Sequence, residues 1–290
     1  MNKYSFIIIV LLCLNNIASA TIQVSHKGVW RDFVFPQNSS YSIQGAVENG
    51  FEGVEFDVFM TRDKVFILAH DDSLLKVTNC RGKISESFYK EIQNCIVKKS
   101  TLLPITKILL KKVKNPKRLT RLDEVLEKLS SAAPLKLVWI DLKQQNIAVV
   151  EPLVETISTY ASEALKDSIV INNGSTNVLR KFKNIFPDVR YSLEGKWGSE
   201  PLVDTSFIKN AGVTHDIISL NVGFRLGDES PLKIIGKKKR FLRRLERLIT
   251  NAKIHNIPVI GWTVNKKEKL KDLLNYDLDF LLTDRVKPIN

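Results

Sequence analysis

The stretch EGVEFDVFMTRDKVFILAHDD, residues 52–72, combines residue types that bind metals and move protons. Glu55 and Asp57 lie two residues apart in one apolar run, and His70 ends the next apolar run. Because side chains two apart on a strand share a face, the two carboxylates would lie side by side. Burying unpaired carboxylates is costly, and a carboxylate cluster with water favours Ca²⁺ or Mg²⁺ over zinc. We therefore expect one divalent cation at this point of the fold.

Short apolar runs alternate with longer amphipathic stretches along the chain, which is the pattern of strands and helices in turn. Eight predicted strands and seven helical stretches between them fit an α/β fold, a (β/α)8 TIM barrel. An open doubly wound sheet is the alternative, but the chain has no G-x-G-x-x-G and no G-x-x-x-x-G-K-[ST] phosphate loop. The predicted strands are Ile22–Ser25, Gly53–Asp57, Lys136–Asp141, Ser168–Ile171, Val189–Ser192, Ile217–Ser219, Pro258–Thr263 and Asp279–Thr283.

An extra apolar run, VFILAH at residues 65–70, follows the second predicted strand after only a short polar turn. Parallel strands need a crossover of about a dozen residues or more, so this run is predicted to return antiparallel, as a hairpin. The tip of the hairpin would stand above the barrel mouth. Its second strand would bring His70 back towards Glu55 and Asp57.

Residues 72–119 form an irregular, lysine-rich stretch that we interpret as a small insertion after the second strand, covering one rim of the barrel mouth. Cys80 and Cys95 lie in it, fifteen residues apart, and are predicted to form a disulfide in an oxidising compartment. Two unpaired buried thiols are the alternative. A disulfide would suit an excursion with little core of its own.

The first twenty residues have the pattern of a secretory signal peptide. Lys3 precedes nine apolar residues, 6–14, and Ala18-Ser19-Ala20 forms an A-x-A cleavage site. We expect a mature chain of residues 21–290 that is secreted or periplasmic. An uncleaved membrane anchor is the alternative, although nine apolar residues fall short of the ~20 that span a bilayer.

The net charge of +13 raises the question of an anionic partner. The densest basic run, residues 236–248, carries leucines at 242, 245 and 248, the spacing of an amphipathic helix with a solvated basic face. Weak contact of this face with an anionic membrane surface is the alternative. An exported protein rarely meets DNA, so we expect no nucleic-acid partner, and we expect a monomer.

Functional groups of a (β/α)8 barrel gather at the carboxyl ends of its strands. This criterion adds three residues to the candidate site residues of the hairpin: His26 on the first strand, and Asp141 and Lys143 on the third. His215 and His255 lie in loop or helix-end contexts, and we expect structural roles for them. The later strand ends offer Asn172, Glu194, Asn221, Trp262, Asn265 and Asp284.

Residues 26–71 resemble the opening signature of the glycerophosphodiester phosphodiesterases, metal-dependent (β/α)8 enzymes that split deacylated phospholipids. That signature runs His-Arg-Gly, Glu-Asn-Thr, Glu-x-Asp-Val, Thr-x-Asp and His-Asp. The stretches WIDLK, GWTVN and LDFLLTD resemble later strands of the family, so the similarity covers nearly all of the mature chain. The matching residues are His26-Lys27-Gly28, Gln37-Asn38-Ser39, Glu55-Phe56-Asp57-Val58, Thr61-Arg62-Asp63 and His70-Asp71.

The resemblance implies hydrolysis of glycerophosphodiesters to sn-glycerol 3-phosphate and an alcohol, with a small-molecule substrate and one divalent cation. Two histidines would serve as acid and base, and three carboxylates would hold Ca²⁺ or Mg²⁺. The implied roles are acid and base for His26 and His70, metal ligands for Glu55, Asp57 and Asp141, phosphate contacts for Lys27 and Lys143, and contacts to the glycerol end for Asn38 and Trp262.

Four positions depart from the family pattern, and the milder two are Gln37 and Ser39, on either side of the retained Asn38. Lys27 stands where arginine is usual, which keeps the charge and loses a bidentate phosphate contact. Asp141 stands where glutamate is usual, one methylene shorter. Two other functions stay open on the sequence: a phospholipase D-like enzyme that acts on sphingomyelin or lysophospholipids, and a catalytically silent lipid-binding barrel.

Overall fold

Eight parallel strands close into a barrel, and a ninth strand pairs antiparallel with one of them. In this computed structural model the described residues are 21–31, 35–98, 117–194, 216–221 and 235–289, with the backbone alone at 194, 221, 235–241 and 244. The strand β1 closes the barrel by pairing with both β2 and β9. The strands are β1 (Ile22–His26), β2 (Gly53–Met60), β3 (Phe66–Leu68), β4 (Leu137–Leu142), β5 (Ile169–Asn173), β6 (Arg190–Glu194), β7 (Ile217–Asn221), β8 (Val259–Trp262) and β9 (Phe280–Thr283).

All eight predicted barrel strands are confirmed, and so is the antiparallel return. The strand β2 continues to Met60, beyond its predicted end, because β3 pairs with its last residues. The turn between them closes where the backbone N–H of Thr61 donates to the carbonyl of Val65, at 2.8 Å. This hairpin lies at the carboxyl end of β2, so it brings the chain back towards the barrel mouth.

Helices cover the outside of the barrel. The basic run belongs to α8 (Ile235–Ile254), where Leu245 and Leu248 are buried and Leu242 packs beside them, as the predicted amphipathic stripe requires. One of the seven helical stretches predicted between the strands, residues 204–212, lies outside the described residues. The remaining helices are α1 (Ser40–Glu48), α2 (Leu74–Val77), α3 (Tyr89–Ile92), α4 (Leu122–Ser130), α5 (Val150–Tyr160), α6 (Glu163–Lys166), α7 (Thr176–Ile185) and α9 (Lys267–Leu274), with short 3₁₀ turns at Ile84–Glu86 and Ile147–Val149.

The alternation of side chains along β2 decides which of its residues enter the barrel. Val54, Phe56 and Val58 are fully buried in the apolar layer between the sheet and the helices. The residues between them, Glu55 and Asp57, therefore lie on the inner face of the barrel. A second apolar cluster lies on other strands and consists of Val24, Leu137, Trp139, Val170, Ile217, Ile260, Phe280 and Leu282.

The segment between β3 and α4 buries more apolar residues than its composition predicts. Leu74, Ile84 and Ile92 are buried in one cluster with Ile67 of β3. The short helices α2 and α3 create this cluster by turning their few apolar residues towards the hairpin. The predicted disulfide between Cys80 and Cys95 is present, with 5.7 Å between the Cα atoms. Residues 99–116 of the predicted insertion lie outside the described part of the chain.

None of the described helices is long and apolar enough to cross a membrane. The predicted signal peptide, residues 1–20, lies outside the described residues.

Candidate active site

The chain leaves β1 through a tight turn that requires glycine at one position. Gly28 has φ +73°, and a Cβ atom there would lie 2.4 Å from the carbonyl carbon of Ser42 in α1. The preceding residue, Lys27, also has positive φ, at 60°. In this conformation its backbone N–H donates to Glu55 Oε2 at 2.8 Å. The turn therefore holds one carboxylate of the site with a backbone donor.

Strand register brings three carboxylates together at the barrel mouth. Asp57 on β2 lies opposite Asp141 on β4, and Glu55 lies opposite His26 on β1. One oxygen from each of Glu55, Asp57 and Asp141 lies within 4.8 Å of the others. Glu55 and Asp57 are only 2% and 1% exposed. This is a compact, all-oxygen donor set of the kind that Ca²⁺ and Mg²⁺ prefer.

Burial, repulsion between the carboxylates and attraction to neighbouring cationic groups all act on the pKa values of this cluster. Burial raises the pKa of the Glu55 carboxyl to about 7, and the charge of Asp57 acts in the same direction. Burial also acts to raise the pKa of Asp57, but the ammonium groups of Lys27 and Lys143 outweigh it and hold that pKa below its usual range. A divalent cation would replace the proton on Glu55 and relieve the repulsion, so these residues fit such a cation.

Two lysines supply positive charge to the same cluster. Lys143 Nζ lies 2.7 Å from Asp57 Oδ1 and 2.5 Å from Asp141 Oδ2. Burial acts to lower the pKa of Lys143, but the two carboxylates outweigh it and raise that pKa above its usual range, so the ammonium group stays charged. Lys27 Nζ lies farther away, 3.8 Å from Asp57 Oδ2. The predicted contact of either lysine with a substrate phosphate stays a prediction.

A cavity of about 290 Å³ opens at this cluster and brings most of the predicted site residues together. Its two histidines differ in exposure, since 44% of the His70 side chain is exposed against 19% for His26. Burial acts to lower the pKa of His26, but the nearby carboxylates of Glu55 and Asp284 outweigh it and raise that pKa. The predicted residues that line the cavity are His26, Lys27, Glu55, Asp57, His70, Asp141, Lys143 and Trp262.

Two residues predicted to bind the glycerol end have partners within the protein. Asn38 is buried, and its amide Nδ2 donates to Asp57 Oδ2 at 2.7 Å while its Oδ1 accepts from the backbone N–H of Asp57 at 3.0 Å. These contacts orient a carboxylate of the cluster. Trp262 lines the cavity, and its indole N–H donates to Ser219 Oγ at 2.8 Å. Contact of either residue with a substrate stays a prediction.

Two polar residues at strand ends received no role from the sequence and contact the site. Asp284 lies against His26, with 2.6 Å between Oδ1 and Nδ1. Asn172 is buried, and its Nδ2 donates to Asp141 Oδ1 at 3.1 Å. Their position at the carboxyl ends of strands was the available signal. His255 is exposed, whereas residue 215 and the side chains of residues 194 and 221 lie outside the described part of the structure.

Comparison with known sequences gives one family. The profile described as the glycerophosphoryl diester phosphodiesterase family matches residues 26–287. A glycerophosphodiester phosphodiesterase of Caldanaerobacter subterraneus subsp. tengcongensis is 21% identical over 267 residues, which covers 91% of this chain and 94% of that protein. The similarity thus extends over the barrel and its site.

Solved structures show the same fold. A phosphodiesterase of Oleispira antarctica, solved in complex with its product sn-glycerol-3-phosphate, matches with a TM-score of 0.70 and 16% identity, covering 91% of this chain and 93% of that one. A glycerophosphodiester phosphodiesterase of Agrobacterium tumefaciens matches with a TM-score of 0.63 and 18% identity, covering 92% and 97%. At these identities the likeness is one of fold.

Proposed function

Because the chain belongs to the glycerophosphoryl diester phosphodiesterase family, we propose that it hydrolyses glycerophosphodiesters to sn-glycerol 3-phosphate and an alcohol. The observation that carries this proposal is one cavity lined by two histidines, three carboxylates and two lysines. Phosphodiester hydrolysis needs both proton transfer and stabilisation of negative charge, and these residue types supply the two functions. The size of the cavity, about 290 Å³, suits a small, deacylated substrate.

Glu55, Asp57 and Asp141 would hold one divalent cation, and we propose Ca²⁺ or Mg²⁺ because every donor is an oxygen. When bound, the cation supplies Lewis-acid stabilisation of charge on the phosphate oxygens. Asn38 and Asn172 support the carboxylates from behind, since their amides donate to Asp57 and Asp141. Such supporting hydrogen bonds keep the oxygen donors oriented.

The chain's own charges would act on the substrate phosphate. The ammonium groups of Lys143 and Lys27 lie beside the carboxylate cluster, where they would offset the negative charge of the phosphate oxygens. Burial of the carboxylates lowers the local dielectric, which strengthens these interactions.

His26 and His70 line the same cavity and would carry the protons. One imidazole accepts the proton of the attacking hydroxyl, which belongs either to water or to the adjacent carbon of the glycerol. Attack by the glycerol hydroxyl gives a cyclic phosphate, which a water molecule must then open to yield sn-glycerol 3-phosphate. The other imidazole gives a proton to the alcohol oxygen as its bond to phosphorus breaks, so charge stays balanced over the step. Imidazole is the side-chain group that commonly both accepts and donates protons near neutral pH, which suits it to either duty.

Export of the protein is part of the proposal. It is supported by the signal-like first twenty residues and by the disulfide between Cys80 and Cys95, a bond that persists in oxidising compartments. Amino-terminal sequencing of the exported protein should read Thr21 as its first residue. A chain that retains Met1 in the cytoplasm would contradict this part of the proposal.

The test of function is a substrate and metal panel on the purified protein. Glycerophosphocholine, lysophosphatidylcholine vesicles and sphingomyelin vesicles are each incubated with Ca²⁺, with Mg²⁺ or with excess EDTA. Released choline is measured for all three substrates, and sn-glycerol 3-phosphate is measured for glycerophosphocholine. We expect cleavage of glycerophosphocholine, loss of cleavage in EDTA and recovery when the cation is restored. Cleavage of the lipid vesicles alone would favour the phospholipase D-like alternative, and cation binding without any turnover would favour a silent barrel.

A further inference from the structure

Asp284 lies at the carboxyl end of the last barrel strand and contacts one ring nitrogen of His26. We propose that Asp284 is a positioning residue, which holds the proton on His26 Nδ1 so that the unprotonated Nε2 is presented to the substrate phosphate. This inference rests on the proposed function, because it assigns a supporting residue to one of the two histidines that would transfer protons.

The geometry determines which nitrogen carries the proton. His26 Nδ1 and Asp284 Oδ1 are 2.6 Å apart, a distance that requires one hydrogen between them. An ionised carboxylate only accepts hydrogen bonds, so Nδ1 must donate. In the neutral ring Nε2 is then the acceptor, and it lies 3.8 Å from Glu55 Oε2, a cavity-lining oxygen.

Asp284 is itself held in place by other residues. Its second oxygen, Oδ2, accepts from Arg31 Nη2 at 3.0 Å and from Asn265 Nδ2 at 2.7 Å. The Nδ2 and Oδ1 atoms of Asn265 cannot exchange places freely, because Oδ1 accepts from the backbone N–H of Asp284 at 2.7 Å. With 5% of Asp284 exposed, water competes little for these contacts. The carboxylate is therefore built into the barrel as a rigid acceptor.

Among the described residues, none gives the second histidine comparable support. His70 Nδ1 lies 3.1 Å from Asp71 Oδ2, on an exposed surface, and the other oxygen of Asp71 is paired with Lys76. A carboxylate that is exposed and shared with a lysine orients its partner weakly. The two histidines are thus unequal: the ring of His26 is oriented by the barrel and the ring of His70 by a surface pair.

The substitution Asp284→Asn is an informative test because it keeps the shape of the side chain and replaces one hydrogen-bond-accepting oxygen by a donating NH₂ group. Oδ2 faces two donors, from Arg31 and Asn265, and Arg31 has no acceptor. The new NH₂ group is therefore driven to the Oδ1 position, where it donates to His26 Nδ1. The proton on His26 must then move to Nε2, which removes the acceptor from the cavity.

The experiment reads the tautomer directly, in the full-length protein labelled with ¹⁵N-histidine, from long-range ¹H–¹⁵N correlations at alkaline pH. We expect the Nδ1–H form of His26 in the wild type and the Nε2–H form in Asp284→Asn. With glycerophosphocholine, Asp284→Ala and Asp284→Asn should lose about 10²- to 10⁴-fold in kcat, with KM changed by less than about threefold.

The matched control is Asp216→Asn. Asp216 directly precedes β7, and its Oδ2 accepts from the backbone N–H of Tyr191 in β6. The kcat and the His26 tautomer of this variant should equal those of the wild type. An Nε2–H form in the wild type, or an unchanged tautomer in Asp284→Asn, overturns the inference. So does a kcat of Asp284→Ala within about threefold of the wild type. If the wild type has no turnover, the proposed function fails while the tautomer measurement still decides the role of Asp284.

Discussion

Lys143 and Asp57 form a buried ion pair at the barrel mouth, with 2.7 Å between Nζ and Oδ1. The same carboxylate is one of the three that offer an oxygen to a divalent cation. The ammonium group and the cation would therefore compete for one carboxylate. We expect Lys143 to turn towards the substrate phosphate when the cation binds, which gives one side chain two successive partners.

Substitution of Lys143 by methionine separates these two partners. The variant keeps the length of the side chain and loses its charge, so Ca²⁺ or Mg²⁺ should bind at least as tightly as in the wild type. Turnover should fall by about 10²-fold, because the positive charge that would stabilise the phosphate oxygens is lost. Calorimetric titration and steady-state kinetics measure the two effects.

Lys136→Met is the matched control, since Lys136 precedes the same strand, β4, and pairs with exposed Glu52 at the surface. It should leave both quantities unchanged. Weaker cation binding in Lys143→Met together with normal turnover would contradict the two-partner role.

Asp141 supplies one of the three carboxylates of the cluster, and its substitution tests the cation site. Asp141→Asn removes one of three negative charges and should weaken Ca²⁺ or Mg²⁺ binding by about tenfold or more. Asp141→Glu, which restores the longer side chain usual in the family, should retain binding. Equal cation affinity in the wild type and Asp141→Asn would place the cation elsewhere.

His70 lies in the cavity with a largely exposed ring, so removing it should affect catalysis more than stability. We expect His70→Ala to lose about 10²- to 10⁴-fold in kcat while its circular dichroism spectrum and Tm stay close to those of the wild type. His255→Ala, at an exposed histidine in the loop after α8, is the control and should keep full activity. Wild-type kcat in His70→Ala would remove His70 from the mechanism.

The pKa of Asp284 predicts a specific loss of stability in acid. Burial acts to raise that pKa, but His26 and Arg31 outweigh it and lower it from 3.8 to about 2. Because the folded protein binds this proton less readily than the unfolded chain, Asp284 stabilises the fold above about pH 4. This contribution, about 2 kcal/mol, is lost as the pH falls towards about 2.

Urea unfolding of the wild type and Asp284→Asn across that pH range measures the contribution. The difference in free energy of unfolding between the two proteins should shrink on acidification. A difference that does not change with pH would mean that the carboxylate has its ordinary pKa in the folded protein.

The disulfide closes a loop of fifteen residues in the segment between β3 and α4. Removing it in the double variant Cys80→Ser, Cys95→Ser should lower the free energy of unfolding by ~3 kcal/mol, mainly because the unfolded segment gains freedom. A reductant should lower the Tm of the wild type in the same way and leave the double variant unchanged. An identical Tm for the wild type with and without reductant would show that the bond contributes nothing.

The sequence was sufficient for the barrel, the hairpin and most of the cavity. Strand periodicity located all eight barrel strands, and the short turn after Met60 required the antiparallel return. Because parallel strands of a barrel present their carboxyl ends at one mouth, the positions of those ends in the sequence predict that His26, Glu55, Asp57 and Asp141 lie together.

The supporting contacts could not be predicted in the same way. Asn38 was predicted to contact the substrate, and that contact stays a prediction. Its hydrogen bonds to Asp57 were not predicted: Asn38 has a positive φ of 55°, its Nδ2 donates to Asp57 Oδ2, and its Oδ1 accepts from the backbone N–H of Asp57. The segment after the hairpin gained its own buried cluster through turns that carry no strong periodicity. Such contacts join residues far apart in the chain, and local pattern does not encode them.

By itself, the sequence determined which residue types lie at the mouth of the barrel, because the two-residue period of strands and the order of the elements dictate it. Only the tertiary structure decided how these groups are paired: Lys143 between two carboxylates, and Asp284 on the ring of His26. The physical reason is that pairing depends on distances of a few ångströms between separate strands. Closure of the barrel sets those distances, joining the last strand to the first.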